Sequence, residues 1–453
     1  MRLTFARAAA VVRGRVWMAA VAGGLLWLMW GVGLLLGGSR PLEGHFALGD
    51  GETDMAGTIV GVDHLAFYAP ARLIREGRAG VIYDYEVVAQ YQQGLFPSGA
   101  FDGKLEALRN PPFFPLLFTP TATLSYAASV WVWTGVSFAA LAAGVWLLAP
   151  ARPGRTTLWA LTFLPTFTAV GYGQTSLLSF AVFCACYRLL AAGYLTAAGV
   201  VAAALWFKPP LLLGLLAWWA LDWRRYWPAV VGLTAGGALL FALTLPVVPD
   251  AWEQFFVRFG PNLKFDSFEW WKSHNARAFW RLLLTPRAAP LPGLLWLASA
   301  AAGMWLFRRV WQAQRDNVPI LFGASVLLML WASPHAMVYE WAAATLPAVL
   351  FWKYAPAHRD RWLVLYAAVW LVMFVSTDAG RLQEMALRRL SMWEQVPVLQ
   401  LSLPVVAWAA VMAGRGLTGV AVPSEPRPSG SGGSPSEATT SFPSDGPGHD
   451  DRG

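Results

Sequence analysis

The sequence predicts an all-α, polytopic integral membrane protein built from about twelve membrane segments. Three observations carry that. Of its 453 residues 57% are hydrophobic and only 13% charged, roughly half the charged share of a soluble domain. Its apolar runs repeatedly approach the ~20 residues that carry a helix across a bilayer. Its cations fall in short clusters between those runs, the pattern that marks cytoplasmic loops. A soluble fold of this length still exposes about a quarter of its unfolded surface, so it could not hide this much apolar area. The composition excludes an ordinary cytosolic enzyme, a disulfide-stapled secreted domain and a disordered protein. The formal charge of +8 is loop charge, and no nucleic-acid partner is expected. Cys184 and Cys186, the only cysteines, point to opposite sides of a helix at that spacing and form neither a disulfide nor a metal site.

An arginine-rich start (Arg2, Arg7, Arg13, Arg15) precedes the first apolar run, Val16 to about Gly37. That run exceeds a signal-peptide core and lacks a small-x-small cleavage site, so it reads as an uncleaved anchor with a cytoplasmic N-terminus. Residues 38–112 form a large extracytoplasmic first loop. Within it Ile59–Glu76 has helical periodicity: His64, Tyr68, Arg72, Arg75 and Glu76 share one arc, Val60, Phe67 and Ile74 lie opposite, and Pro70 is a candidate kink. A helix of that kind is expected to lie along a membrane surface. Further apolar runs begin near Tyr126, Leu158, Thr175, Thr196, Leu211, Ala229, Leu291, Pro319, Val338, Trp362 and Val396. Pro150–Arg155, Arg188, Asp222–Trp227, Arg308–Arg315, Lys353–Arg361 and Arg415 are the basic breaks and are assigned to the cytoplasm. The parity closes if Thr196–Leu221 is a hairpin of two short helices turning at Lys208-Pro209-Pro210. Both termini are then cytoplasmic, with the chain in the inner (plasma) membrane. Residues 1–421 form the membrane domain, and the Pro/Ser/Gly-rich 422–453 is expected to be a disordered cytoplasmic tail. His449–Asp451 in that tail are solvated residues rather than a metal site.

This topology puts the remaining polar landmarks on the extracytoplasmic side, although it was built from Lys and Arg alone. Asp50 and Asp54 read as turn or N-cap residues, and so does Asp84. Asp63 lies within the amphipathic stretch on the side of Val60 and Phe67. There a carboxylate either pairs with a cation inside the fold or is held for proton transfer. Lys208, at the apex of an apolar hairpin, is either functional or a lysine snorkelling to the interface. His335 lies between apolar runs, where a lone histidine is commonly a packing residue. Glu340, a turn or so later, has two candidate partners, His335 and Lys208. His274, Asn275, Arg277 and Arg281 belong to a loop rich in aromatics and cations that suits lipid headgroups. No phosphate-binding glycine loop, HExxH, CxxC, GxSxG or DxD pair is present, so neither a metal nor another cofactor is expected.

The order of these landmarks resembles glycosyltransferase family 87, the polyprenol-phosphate-mannose-dependent mannosyltransferases of the GT-C superfamily. The stretches that carry the likeness are VDHLAFYAPARLIREGRAGVIYD, NPPFFPLLFTP, GYGQTSLLSF, AALWFKPPLLLGLLAWWALDWRRYW, SHNARAFWRLL and SPHAMVYEWAAATLPAVL, spread between about Val60 and Leu350. The resemblance implies a GT-C-type helical bundle that moves a hexose, mannose by analogy, from a polyprenyl-phosphate donor to an extracytoplasmic lipid or glycan acceptor, with inversion. It places the general base on Asp63. It places Gln174, Lys208 and His335 around the donor phosphate; Asn275, Arg281 and Glu340, on the same side of the membrane, are further candidates for binding substrate. His274-Asn275-Ala276-Arg277 stands where the family usually has an Asn-Gln-Ser-like run, and Tyr339-Glu340 where it has Tyr-Asp. A transporter or lipid flippase is the alternative from another class. Transporters commonly show repeated halves and mid-membrane polar groups, whereas this chain has one large first loop and polar groups near one face. A non-catalytic assembly protein on the same fold is a second alternative.

Overall fold

A computed structural model describes residues 2–36, 60–96, 105–263, 270–284, 290–392 and 395–418, the side chains of 2–3, 29–36 and 259–263 excepted. Asp50, Asp54 and the 422–453 tail with His449–Asp451 lie outside the described residues. Among the described residues the secondary structure is helical, apart from one isolated antiparallel bridge between Ser273 and Met337. The helices are α1 (Arg2–Leu36), α2 (Val62–Arg75), α3 (Tyr85–Gly94), α4 (Phe113–Leu116), α5 (Tyr126–Leu148) and α6 (Pro153–Leu161). They continue with α7 (Leu164–Gly171), α8 (Ser176–Ala191), α9 (Leu195–Ala202), α10 (Leu213–Leu221), α11 (Trp223–Thr244) and α12 (Pro249–Leu263). The last are α13 (Ala276–Leu284), α14 (Leu291–Ala313), α15 (Val318–Ala332), α16 (Thr345–Tyr354), α17 (Arg359–Arg389) and α18 (Ser402–Thr418).

Among the described residues four helical stretches are long and apolar enough to cross a bilayer: Thr4–Leu28, Tyr126–Leu148, Trp223–Thr244 and Pro356–Arg389. Ser176–Ala191, Leu195–Phe207, Pro209–Leu221 and Val318–Ala332 are shorter apolar helices. Trp146, Leu243, Leu294 and Trp305 are more than half exposed, a display of apolar side chains that lipid tolerates and water does not. The expected run from Leu158 is not a single span, because it divides into α6 and α7 around Thr162-Phe163. The run from Val338 begins as a 3-10 helix, Val338–Ala344. The first span also starts earlier than the apolar run suggested. Arg13 on α1 finds a partner: its Nη1 meets Asp360 Oδ1 at 2.8 Å in the first turn of α17.

The hairpin at Lys208-Pro209-Pro210 is present. After α9 the chain tightens into a 3-10 helix, Ala203–Phe207, breaks at Lys208, and resumes as Pro209–Leu212 and α10. Two prolines in succession explain the break, since neither has an N–H to continue the ladder. The direction of return follows from the packing of α9 on α11. A Cβ on Gly199 would stand 1.9 Å from Ala229 O, and one on Gly232 would stand 2.1 Å from Thr196 O. The two backbones touch as glycine-lined helices can. Thr196 faces Gly232 and Ala203 faces Gly236, so α9 and α11 run parallel and the residues between them must come back.

The surface-lying helix expected of the first loop is corrected by the structure. In α2 His64–Ala71 and Leu73 are buried, enclosed by α4, α5 and the turn at Thr121–Thr123. The arc of His64 and Tyr68 is not a water-facing stripe. The His64 ring packs on Phe118 and Trp133, and its Nε2 lies 2.9 Å from Ser129 Oγ. Tyr68 OH donates to Leu124 O at 2.7 Å. The apolar body of Tyr68 suits the interior once its hydroxyl is satisfied, whereas His64 is held by Nε2 alone and its buried Nδ1 makes no hydrogen bond among the described residues. The helix continues through Pro70.

Candidate functional site

Three chain breaks converge beside the N-terminus of α2. The helix starts at Gly61, and Tyr126 OH holds that entry by donating to Val60 O and Gly61 O at 2.9 Å each. Asp63 sits in the first turn, where the positive end of the helix dipole favours a carboxylate. Its backbone N–H donates to Tyr172 O at 3.1 Å. This fixes α2 against the Gly171–Gln174 turn, and Gln174 Nε2 donates to Asp63 Oδ2 at 2.6 Å. Trp133 Nε1 anchors the same turn through Gln174 O at 3.3 Å. Gly173 has φ +69°, and a Cβ there would stand 2.8 Å from His64 Cβ and 3.3 Å from Gly61 O. Gly173→Ala should therefore cost about 1–3 kcal/mol of stability through backbone strain and separate Gln174 from Asp63. Denaturation of the purified variant measures the first effect; a wild-type transition would refute it.

The second break is the Lys208 apex, held from outside by Asn110, whose Nδ2 donates to Phe207 O at 2.8 Å. Lys208 Nζ donates to Glu340 Oε1, and Glu340 Oε2 accepts from Met337 N–H at 2.6 Å. Of the two partners open to Glu340, it takes Lys208. Lys208 Nζ also lies 5.7 Å from the centre of the Tyr339 ring, and that ring lies 6.3 Å from Tyr172. A continuous line therefore leads from Asp63 through two tyrosines to the ion pair.

The third break is the Ser333–Ala336 turn. Burial pushes the His335 imidazole down to about 4, and the positive charges of Arg277, Lys208 and Arg109 act in the same direction. His335 is a neutral imidazole here, in a cationic neighbourhood. Arg109 and Lys272 escaped the sequence reading as site residues. Lys272 Nζ lies 4.4 Å over the Tyr172 ring, a cation–π contact. Arg109 lacked periodicity to mark it, its only signal being its place before Asn110-Pro111-Pro112.

Asn275 and Arg281 have different surroundings. Asn275 is fully buried: its Oδ1 accepts from Ala278 N–H at 2.9 Å, capping α13, and its Nδ2 donates to Ala336 O at 3.2 Å. The Arg281 guanidinium stacks 4.5 Å from the Trp270 ring. Asp84 caps α3 by accepting from Val87 N–H and pairs with Arg258 at 3.0 Å.

Burial also pushes His64 and His274 down to about 3 each. In the unfolded chain these three histidines protonate near 6.5. Between that pH and about 4 the unfolded state binds protons that the fold excludes. Stability is therefore full above about 6.5 and declines as the pH falls. Denaturation midpoints from pH 7.5 to 4.5 should fall, and His64→Gln should flatten the slope. A midpoint unchanged across that range would contradict this.

The family model of glycosyltransferase family 87 matches residues 109–334. The matched stretch holds Gln174, Lys208, Asn275 and Arg281; Asp63, His335 and Glu340 flank it. No curated protein and no solved structure matches the chain.

Proposed function

We propose, from a chain that belongs to glycosyltransferase family 87 and is therefore a sugar-transferring membrane enzyme, that it moves a hexose from a polyprenyl-phosphate donor to an acceptor hydroxyl. The observation that carries this is the pairing of one oriented carboxylate, Asp63 on Gln174, with a cluster of Lys208, Arg277, Arg109 and neutral His335. Asp63 takes the proton of the acceptor hydroxyl as its oxygen bonds the anomeric carbon from the face opposite the leaving group. The bond from that carbon to the phosphate oxygen breaks, and the configuration inverts. The donor phosphodiester carries one negative charge, and the departing phosphomonoester gains a second. The cations and the His335 N–H are suited to meet that charge, since preorganised donors act where charge develops. Mannose is the sugar the family analogy favours.

In the orientation proposed here, about twelve segments cross the inner membrane, both termini are cytoplasmic and the site faces outward. Cysteines placed at Glu86 and Glu253 should then react with an impermeant reagent from outside, and one at Arg309 should be protected. The reverse pattern would overturn the orientation. The family match does not favour a transporter. The reaction is tested by transfer of radiolabelled mannose from synthetic polyprenyl-phosphate-mannose into membrane lipids by proteoliposomes of the full chain. Labelled glycolipid with release of polyprenyl phosphate is expected. Absence of any transfer would overturn this choice of donor and acceptor.

A further inference from the structure

We propose that His274 is a positioning residue, a latch through which the C-terminal pair α17–α18 sets the two turns that carry His335 and Arg277. It rests on the reading of Arg277 and the neutral His335 as phosphate-binding, and it brings in a part of the chain beyond the family match. His274 is 1% exposed. Its Nδ1 lies 2.6 Å from Ser402 Oγ of α18 and its Nε2 3.0 Å from Thr377 Oγ1 of α17. Thr377 gives its only hydroxyl hydrogen to Met373 O at 2.6 Å, so it must accept from His274. The proton of the ring is therefore on Nε2, and Nδ1 accepts from Ser402. The order of donors is fixed along the whole chain of contacts: Ser402 to His274 to Thr377 to Met373.

The backbone around the ring passes this constraint to the site. His274 N–H donates to Ala336 O at 3.0 Å, next to His335, and Trp341 Nε1 donates to His274 O at 2.9 Å. Gln400 Nε2 holds Ser273 O at 2.5 Å. The next residue, Asn275, caps the helix on which Arg277 sits and shares the Ala336 carbonyl. Two turns far apart in sequence are thus tied to each other through the Ala336 carbonyl and the Ser273–Met337 bridge, and the side-chain contacts of the His274 imidazole tie them to α17 and α18. A buried network whose members are all satisfied rigidifies what it connects, and removing one member leaves its partners unpaired.

The test uses the purified full chain with Pro334→Cys as a reporter in the His335 turn, and fully buried Cys184 and Cys186 as internal controls for loosening of the bundle. His274→Phe removes both ring contacts. It should speed alkylation at position 334 and raise the donor KM, each by about tenfold, the equivalent of one or two lost hydrogen bonds, with a smaller change in kcat. Thr377→Val, a milder change, should move both in the same direction, and His274→Gln should recover part of the loss. Cys184 and Cys186 should stay unreactive. Alkylation at 334 that does not change, or that rises only together with Cys184 and Cys186, would overturn the latch. Faster alkylation at 334 alone would uphold it even if the wild type transferred no mannose, a result that would count only against the proposed donor.

Discussion

Asp63→Asn should lower transfer by about 10²–10⁴-fold, the range general bases contribute, while leaving the donor KM near its wild-type value. Asparagine keeps the shape of the side chain, and its oxygen can still accept from Gln174 Nε2, whose contact with Asp63 Oδ2 is 2.6 Å. What it lacks is basicity. The loss should therefore appear in kcat, as expected for an interaction made only in the transition state. Gln174→Leu separates basicity from orientation. It leaves the carboxylate and removes the amide that aims it, so a smaller loss, about tenfold for one hydrogen bond, is expected. Single-turnover rates on the same proteoliposomes read both. Undiminished turnover in Asp63→Asn would remove Asp63 from the chemistry and leave the base to another carboxylate of the first loop. The variant also addresses the non-catalytic alternative, because an assembly protein would keep its full function without that carboxylate.

How far the site was legible differs from residue to residue, for physical reasons. The helix around Asp63 was visible as periodicity, and Asp84 as a cap, because both are local properties of a few consecutive side chains. The break at Lys208 was visible because two successive prolines cannot carry the hydrogen-bond ladder of an apolar helix onward. The burial of α2 was not. A periodic arc of His64, Tyr68 and Arg72 looks the same whether the rings face water or, as here, Ser129 Oγ and the carbonyl of Leu124. The Asp63–Gln174 contact spans 111 residues and the Lys208–Glu340 contact 132. No spacing rule reaches that far: the resemblance grouped Asp63 with Gln174, and Lys208 was one of two partners open to Glu340 only because the topology puts both on one side. Asn275, a substrate-binding candidate in the sequence, also caps α13 and holds the Ala336 carbonyl, contacts that its place in a loop did not reveal. The twelve-segment count relied on apolar length, which does not show where a run is interrupted: the run from Leu158 breaks at Thr162-Phe163, and the run from Val338 begins as a 3-10 helix beside the Lys208–Glu340 pair.

Lys208→Met should be the most destabilising single change in the site. Glu340 is 5% exposed and Lys208 24%, so the lysine can still reach water whereas the carboxylate cannot. Removing the lysine leaves a buried charge with Met337 N–H as its remaining contact among those described. Breaking a buried pair from one side costs about 3–5 kcal/mol. Glu340→Gln alone should cost less, because its Oε1 can still accept from Met337 and the lysine can turn toward solvent. The double variant Lys208→Met/Glu340→Gln is the informative one. With no charge left buried, most of the lost stability should return, as it does when an ion pair is replaced on both sides. Transfer should not return with it. The cation that meets the departing phosphate is still missing, and a lost donor to a developing oxyanion costs about 10²–10³ in rate. Denaturation midpoints and kcat measured on the wild type, both single variants and the double variant separate the two roles. Recovery of stability without recovery of transfer assigns Lys208 to the donor phosphate. Recovery of both would make it a structural partner of Glu340, and the phosphate would then have to be met by Arg277, Arg109 and His335 without it.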